Sequence, residues 1–200
     1  MSKKVLVISG TVSPADKSYS IALSEKFIEE YTKINKEDEI LYLDLNKEVM
    51  AQKTLTRDNF KEFFNEEDSI KYINQLKSVD KVIISSPMNN FAVTAMIKNY
   101  LDHILMADQT FSYKYVKKGD AKGLLEHLKV QILTTQGAPY GWYPFGDHTA
   151  YLKGTWEFVG AKVNEPILFA GTKVEPISKQ TPKEAIESIS SKIKEIAAKF

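Results

Sequence analysis

Three short stretches of this sequence hold the residue types that bind ligands through backbone amides, hydroxyls and flat side chains. The first, Ser9-Gly10-Thr11-Val12-Ser13-Pro14-Ala15-Asp16-Lys17-Ser18-Tyr19-Ser20, is rich in small and hydroxyl residues and leads into a segment with helical periodicity. A helix start presents unpaired N–H groups and a partial positive charge, so hydroxyls at Thr11, Ser18 and Ser20 would complete a site suited to a monophosphate. Neither the G-x-G-x-x-G spacing of a dinucleotide fold nor the G-x-x-x-x-G-K-[ST] of a nucleoside-triphosphate site is present. Serine also caps helices that bind nothing, and spacing alone does not separate the two readings.

The second stretch is Ser85-Ser86-Pro87-Met88-Asn89-Asn90-Phe91. Proline fixes the backbone and asparagine tolerates unusual φ, so a sharp turn is expected whose amides, with Met88 and Phe91, frame a flat heteroaromatic ring. The competing reading makes Asn90 the N-cap of the helix that follows. The third runs from Thr134-Thr135-Gln136-Gly137-Ala138-Pro139 through Tyr140, Trp142, Tyr143 and Phe145 to Gly146. Glycine lets backbone approach a ligand, and the aromatics offer a substrate wall or, equally, a self-packed loop or subunit contact.

Other chemistries are closed off. Without cysteine there is no disulfide, thiolate metal site or catalytic thiol, so redox work needs a cofactor. The three histidines, His103, His127 and His148, have no metal-like spacing, so no metal is expected, and His103 reads as a helix-surface or interface group. The 27 basic residues nearly balance the 26 acidic ones, which points away from nucleic acid and anionic membranes. The amino terminus runs into an apolar stretch far shorter than a signal-peptide core or a membrane span, so a cytoplasmic location is the expectation.

The elements that must position these loops follow from hydrophobic patterning. Val5-Leu6-Val7-Ile8 is a continuous apolar run of the kind found in strands buried on both faces, and similar runs recur at 40–45, 82–84, 130–133 and, more weakly, 163–169. Apolar stripes at helical spacing occupy 19–34, 91–106, 146–160 and 181–199. The stretch 91–106 is apolar nearly all round, which suggests a second surface such as a subunit partner. Thr56-Arg57-Asp58-Asn59 is expected to cap a helix through Phe60, Phe63 and Phe64 in the charged connection 46–80. Strand and helix alternate, so the fold class is α/β, a single domain over residues 1–200. Such sheets bind ligands beyond the carboxyl ends of their strands, where all three stretches fall.

Taken in order, these loops resemble the FMN-dependent NADH-azoreductase and NADH:quinone oxidoreductase family of flavodoxin-like proteins, long labelled acyl-carrier-protein phosphodiesterases. The likeness covers nearly the whole chain. It rests on Lys4-Val5-Leu6-Val7-Ile8, Ser18-Tyr19-Ser20, Pro87-Met88-Asn89-Asn90-Phe91, Lys98-Asn99-Tyr100-Leu101-Asp102, Thr110-Phe111-x-Tyr113 and Thr135-Gln136-Gly137. It implies a flavodoxin-like three-layer sandwich with a five-stranded parallel sheet in the order 2-1-3-4-5 and helices on both faces. It assigns FMN phosphate contacts to Thr11, Ser18, Tyr19 and Ser20. Ring contacts fall on Pro87, Met88, Asn89, Asn90 and Phe91, and a third flavin loop on Thr135, Gln136, Gly137 and Ala138. Phe158 matches an aromatic that closes the acceptor pocket at a dimer interface. The chain departs from the family's usual Pro-Met-Tyr-Asn-Phe at Asn89 and from a frequent Ser-Arg-Gly-Gly at 135–138.

The implied activity is a relay in which NADH reduces the bound FMN, NAD leaves, and a quinone or an aromatic azo compound takes its place. No side chain need act as acid or base, because the flavin carries the chemistry. Asp16 and Asp102 have no cluster that would support the older phosphodiesterase label. Two rivals stand beside this reading: a flavodoxin-type FMN electron carrier without NADH turnover, and a flavin-free interaction protein.

Overall fold

The computed structural model describes residues 2–114, 116–117 and 120–200. In chain order its elements are β1 (Lys4–Ser9), α1 (Tyr19–Ile34), β2 (Glu39–Asp44), α2 (Lys71–Lys77), β3 (Lys81–Pro87), α3 (Ala95–Ile104), β4 (Phe111–Ser112), β5 (Lys122–Gly123), β6 (Lys129–Gln136), α4 (His148–Phe158), β7 (Lys162–Val163), β8 (Ile167–Ala170), α5 (Pro182–Glu187) and α6 (Ser190–Lys199). The main sheet is parallel, in the order β2-β1-β3-β6, with both β7 and β8 on the outer edge of β6. This is the expected 2-1-3-4-5 order with its fifth strand in two pieces. The break falls at 164–166, where Pro166 has no N–H to give the ladder. The buried Gln131 spans it, donating to the Glu165 carbonyl (2.9 Å) and accepting from the Asn164 side chain (2.7 Å).

Side-chain alternation along the central strands feeds two cores. Leu6, Ile8, Val82 and Ile84 pack with residues of α2, α3 and α4, among them Ile73, Ile97, Tyr100, Leu152 and Trp156. Val5, Val7, Ile83 and Leu133 pack with Leu23, Phe27 and Tyr31 of α1 and with Ile186, Ile193 and Ile196 of α5 and α6. Each large apolar side chain fully buried here stabilises the fold by roughly 1.5–3 kcal/mol, and the two-sided burial is why the strands read as continuous apolar runs.

Four expectations are corrected. The helix expected from Thr56 through Phe64 is a series of turns. Thr56 and Asn59 do exchange cap-like hydrogen bonds (2.7 and 3.3 Å), but helix begins only after Asn65, whose side chain accepts from the Glu67 and Asp68 amides. The helix expected at 91–106 starts at Ala95, with Thr94 and not Asn90 as its N-cap. Its apolar surround is met within the chain, because the short helical turns at Leu45–Lys47, Met50–Gln52 and Glu66–Ile70 lie against it. The carboxyl-terminal helix is two helices, interrupted where the Ser188 hydroxyl turns back onto the Ala185 carbonyl (2.6 Å). His103, expected at the surface, is fully buried, stacked on Phe63 with centroids 3.9 Å apart and 3.2 Å from the Ser69 hydroxyl through Nδ1.

Candidate functional site

The carboxyl ends of β1, β3, β6 and β8 meet along one edge, and hydrogen bonds lock their loops together. Gly10 donates to the Ser85 carbonyl (3.0 Å), Met88 to Thr135 (2.7 Å), Gly171 to Ala138 (2.9 Å) and Lys173 to Gly137 (2.9 Å). A Cβ on Gly10 would overlap the Ile97 side chain, so the first loop can lie flat against α3 only with glycine there. The Thr94 hydroxyl, while capping α3, donates to the Gly10 carbonyl (2.9 Å) and fastens the two loops.

The first loop gathers three buried hydroxyls at the start of α1. Thr11 and Ser18 are 3.0 Å apart, Ser18 and Ser20 3.1 Å, and Ser20 and Thr11 2.9 Å. Ser18 Oγ also accepts from the Ile21 amide (3.2 Å), so it caps the helix as well as joining the cluster. The Tyr19 hydroxyl is turned away onto the Ile177 and Gln180 carbonyls, leaving its amide, with that of Ser20, in the first turn where no intrahelical acceptor exists. No acidic residue stands in that turn. Asn46, which sequence reasoning did not single out, holds the loop by donating from Nδ2 to the Thr11 carbonyl (3.0 Å).

The second loop is a tight reversal. Asn89 and Ala92 exchange backbone hydrogen bonds (2.8 and 3.1 Å) around Asn90 (φ 45°) and Phe91 (φ 71°). Positive φ at both central positions is the geometry of a two-residue hairpin turn, costly for phenylalanine, and it thrusts Phe91 outward at 43% exposure. The Met88 and Asn89 amides are spent inside the fold, whereas the turn uses neither the Asn90 nor the Phe91 amide.

In the third loop Thr135 and Gln136 are buried, and the Gln136 amide group is committed to the Ala138 (2.9 Å) and Pro139 (3.2 Å) carbonyls. Gly137 and Ala138 remain open. With Met88, Asn90, Phe91, Trp142, Tyr143, Lys173 and Val174 they line a cleft of about 340 Å³. Phe91, Tyr143 and Phe145 pack edge to face with centroids 4.9–6.0 Å apart, so the aromatics form a wall. His148, buried at the start of α4, has both ring nitrogens without a hydrogen bond. The Thr135 backbone faces the ring without closing one, and burial holds the ring's pKa below the ordinary histidine value.

The structure therefore brings together at one sheet edge the cluster of Thr11, Ser18 and Ser20 after β1 and a cleft containing Met88, Asn90 and Phe91 after the neighbouring β3 and Gly137 and Ala138 after β6, the next strand. Pro87, Asn89, Thr135 and Gln136 support those loops and do not line the cleft. Phe158 is not brought to it: it ends α4, about 15 Å along the axis from His148, and packs on Phe111 (4.9 Å). Lys173 and Val174 were missed. Gly171-Thr172-Lys173 follows the fifth strand at the same edge, and the rule that ligands sit beyond strand ends applied there too. Hydroxyls and free amides at one end and an aromatic-walled cleft at the other match the donor chemistry of a mononucleotide carrying a flat ring, so the residues present fit FMN.

A family model described as flavodoxin-like fold matches residues 3–193. The FMN-dependent NADH:quinone oxidoreductase 1 of Mesoplasma florum is 59% identical over 197 residues, 98% of this chain and 99% of that relative. The FMN-dependent NADH:quinone oxidoreductase of Mycoplasmopsis pulmonis is 57% identical with the same coverage. The crystal structure of an azoreductase from Bacillus anthracis superposes with a TM-score of 0.82 at 26% identity over the whole of both chains. From strand order, loop chemistry and matches that run nearly end to end, the chain belongs to the flavodoxin-like fold family.

Proposed function

We propose that this protein is an FMN-dependent NADH:quinone oxidoreductase that also reduces aromatic azo compounds, and that residues 1–200 act as one FMN-binding domain. The observation that carries the reading is the pairing of an acid-free, hydroxyl-lined helix start with an aromatic-walled cleft at one sheet edge. It occurs in a chain 59% identical to an enzyme of that name. When bound, FMN supplies the two-electron chemistry, accepting from NADH and giving to the acceptor.

The chain's own residues bind and orient. The hydroxyls of Thr11, Ser18 and Ser20, which hydrogen-bond one another, have the freedom to turn their protons toward phosphate oxygens, joined by the Tyr19 and Ser20 amides. Met88, Asn90, Phe91, Gly137 and Ala138 hold the ring system, and Pro87, Asn89, Thr135 and Gln136 fix the loops that carry them. The Tyr143 and Phe145 wall with Trp142 gives a flat acceptor or nicotinamide an apolar surface and keeps water from it. The reading includes a homodimer: Phe158, which packs on Phe111 away from the cleft of its own chain, matches an aromatic that the family resemblance places at a dimer interface, closing the acceptor pocket. No helix among the described residues is long and apolar enough to cross a membrane. The reading places the enzyme in the cytoplasm, acting on small molecules.

The experiment is purification followed by a visible spectrum and an NADH oxidation assay with a benzoquinone. A yellow protein with rapid turnover is expected. A yellow protein with none would make it a flavodoxin-type carrier, and a colourless one that fails to quench FMN fluorescence would leave an interaction protein. Sedimentation at micromolar concentration tests the dimer.

A further inference from the structure

Lys173 is the only charged residue lining the cleft among the described residues, and no sequence motif drew attention to it. Its backbone is fixed by its N–H on the Gly137 carbonyl (2.9 Å) and, one residue earlier, by the Thr172 hydroxyl on the Gln136 carbonyl (3.3 Å). Its stem lies along Gly137: a Cβ there would come within 2.9 Å of Lys173 Cδ and 3.1 Å of Cγ, so glycine at 137 is what lets the lysine follow the cleft. Among the described residues its ammonium forms no ion pair, while the nearby Glu175 carboxylate is taken by Lys179 (2.9 Å). Lys173 is exposed, and its stem, held along Gly137, keeps its uncommitted charge at the rim of the cleft, within reach of an occupant. The Gln136 side chain, turned inward, supplies no charge from the neighbouring loop.

We propose that Lys173 is a cofactor-binding residue whose ammonium stabilises the negative charge of the reduced flavin ring in this cleft, raising the reduction potential of the bound cofactor. The inference rests on the reading of the cleft as the FMN ring site. A fixed cation beside the ring favours the reduced, more negative form over the oxidised one, so its contribution appears in the ratio of the two affinities.

The test is spectroelectrochemical titration of the FMN-loaded wild type beside Lys173→Ala, Lys173→Gln and Lys173→Arg, with FMN affinity measured separately by fluorescence quenching. Loss of charge is expected to lower the preference for reduced over oxidised FMN about tenfold, a fall of ~30 mV in midpoint potential for a two-electron couple. Oxidised FMN should bind the variants nearly as before, and Lys173→Arg should keep the wild-type potential. Lys173→Ala and Lys173→Gln at the wild-type potential with FMN bound would overturn the inference. So would unchanged potentials with a raised KM confined to sulfonated quinones or to NADH, which would assign the lysine to an acceptor or to the donor's phosphates. Wild-type protein that fails to quench FMN fluorescence overturns the cofactor reading itself, an outcome distinguishable from the others.

Discussion

Helices α1 and α5 both open on a hydroxyl N-cap and differ in what they leave free. At α5, Thr181 Oγ1 accepts from the Glu184 amide (3.3 Å), and Glu184 returns its carboxylate to the Thr181 amide (2.9 Å) and hydroxyl (2.8 Å), while Pro182 at the first position has no N–H to satisfy. That helix start neutralises its own dipole. At α1, Ser18 accepts from Ile21, the residue in Glu184's place is apolar, the first turn holds no acid, and the hydroxyls of Ser20 in that turn and of Thr11 in the preceding loop lie within 3.1 Å of Ser18 Oγ. The positive end stays open, backed by protons that can turn outward. A serine or threonine cap thus says little by itself; the acid three places on closes α5, and the further hydroxyls gathered at Ser18 are what equip α1 for an anion.

The comparison breaks most sharply if the start of α1 is given a carboxylate of its own. Ser18→Asp keeps a residue that caps as well as serine, while a carboxylate now occupies the anion site; its burial among the hydroxyls should lower the melting temperature of the FMN-free protein without unfolding it. FMN affinity should fall about 100-fold, from one lost charge-assisted hydrogen bond plus like-charge repulsion, in a fluorescence-quenching titration. Wild-type affinity would mean that the phosphate does not bind at this helix. Ser20→Ala is the milder version: one donor is removed and no charge added, and about a tenfold loss of affinity is expected by the same titration. On the other side, Thr181→Ala should cost about 1 kcal/mol of stability in urea unfolding and leave FMN affinity unchanged, because that cap serves only the fold. A loss of affinity in this variant would show that α5 is part of the site after all.

How far the sequence foretold this arrangement depends on how local the physics is. The strands that carry the loops were legible because burial on both faces writes a continuous apolar run, as at Val5-Leu6-Val7-Ile8 and again at residues 130–133. The α1 cap and its hydroxyls were legible for the same reason: cap, first turn and periodicity lie within a few residues. Illegible were features set by distant partners. The helix expected at 91–106 starts four residues late because Asn89 and Ala92 close a hairpin that a run of apolar residues does not announce. His103 is buried because Phe63 and Ser69, from a connection with no clear periodicity, come over it. Lys173 faces the cleft because β8 continues its pairing with β6 past Gln136, a register no local pattern reveals.

The smallest expected effect concerns pH, and it separates the two helix starts by charge alone. The backbone and hydroxyl hydrogen bonds from Thr181 hold the Glu184 carboxyl below its usual range, whereas the α1 cap carries no titratable group. A carboxylate whose folded pKa lies below its unfolded value contributes stability that is fully present above the unfolded value, about pH 4.3, and is lost as pH falls through the folded one. Acid unfolding should therefore include a small contribution from α5 in that window. Glu184→Gln keeps an acceptor for the Thr181 amide but cannot titrate, so this contribution should vanish while stability at neutral pH falls only slightly. The direct measurement is the titration of the Glu184 side-chain carbonyl by NMR, compared between wild type and Thr181→Ala. Removing the threonine hydroxyl should move the midpoint back toward the ordinary glutamate value, and an unmoved midpoint would mean that the closure of this helix start owes nothing to the hydroxyl half of the box.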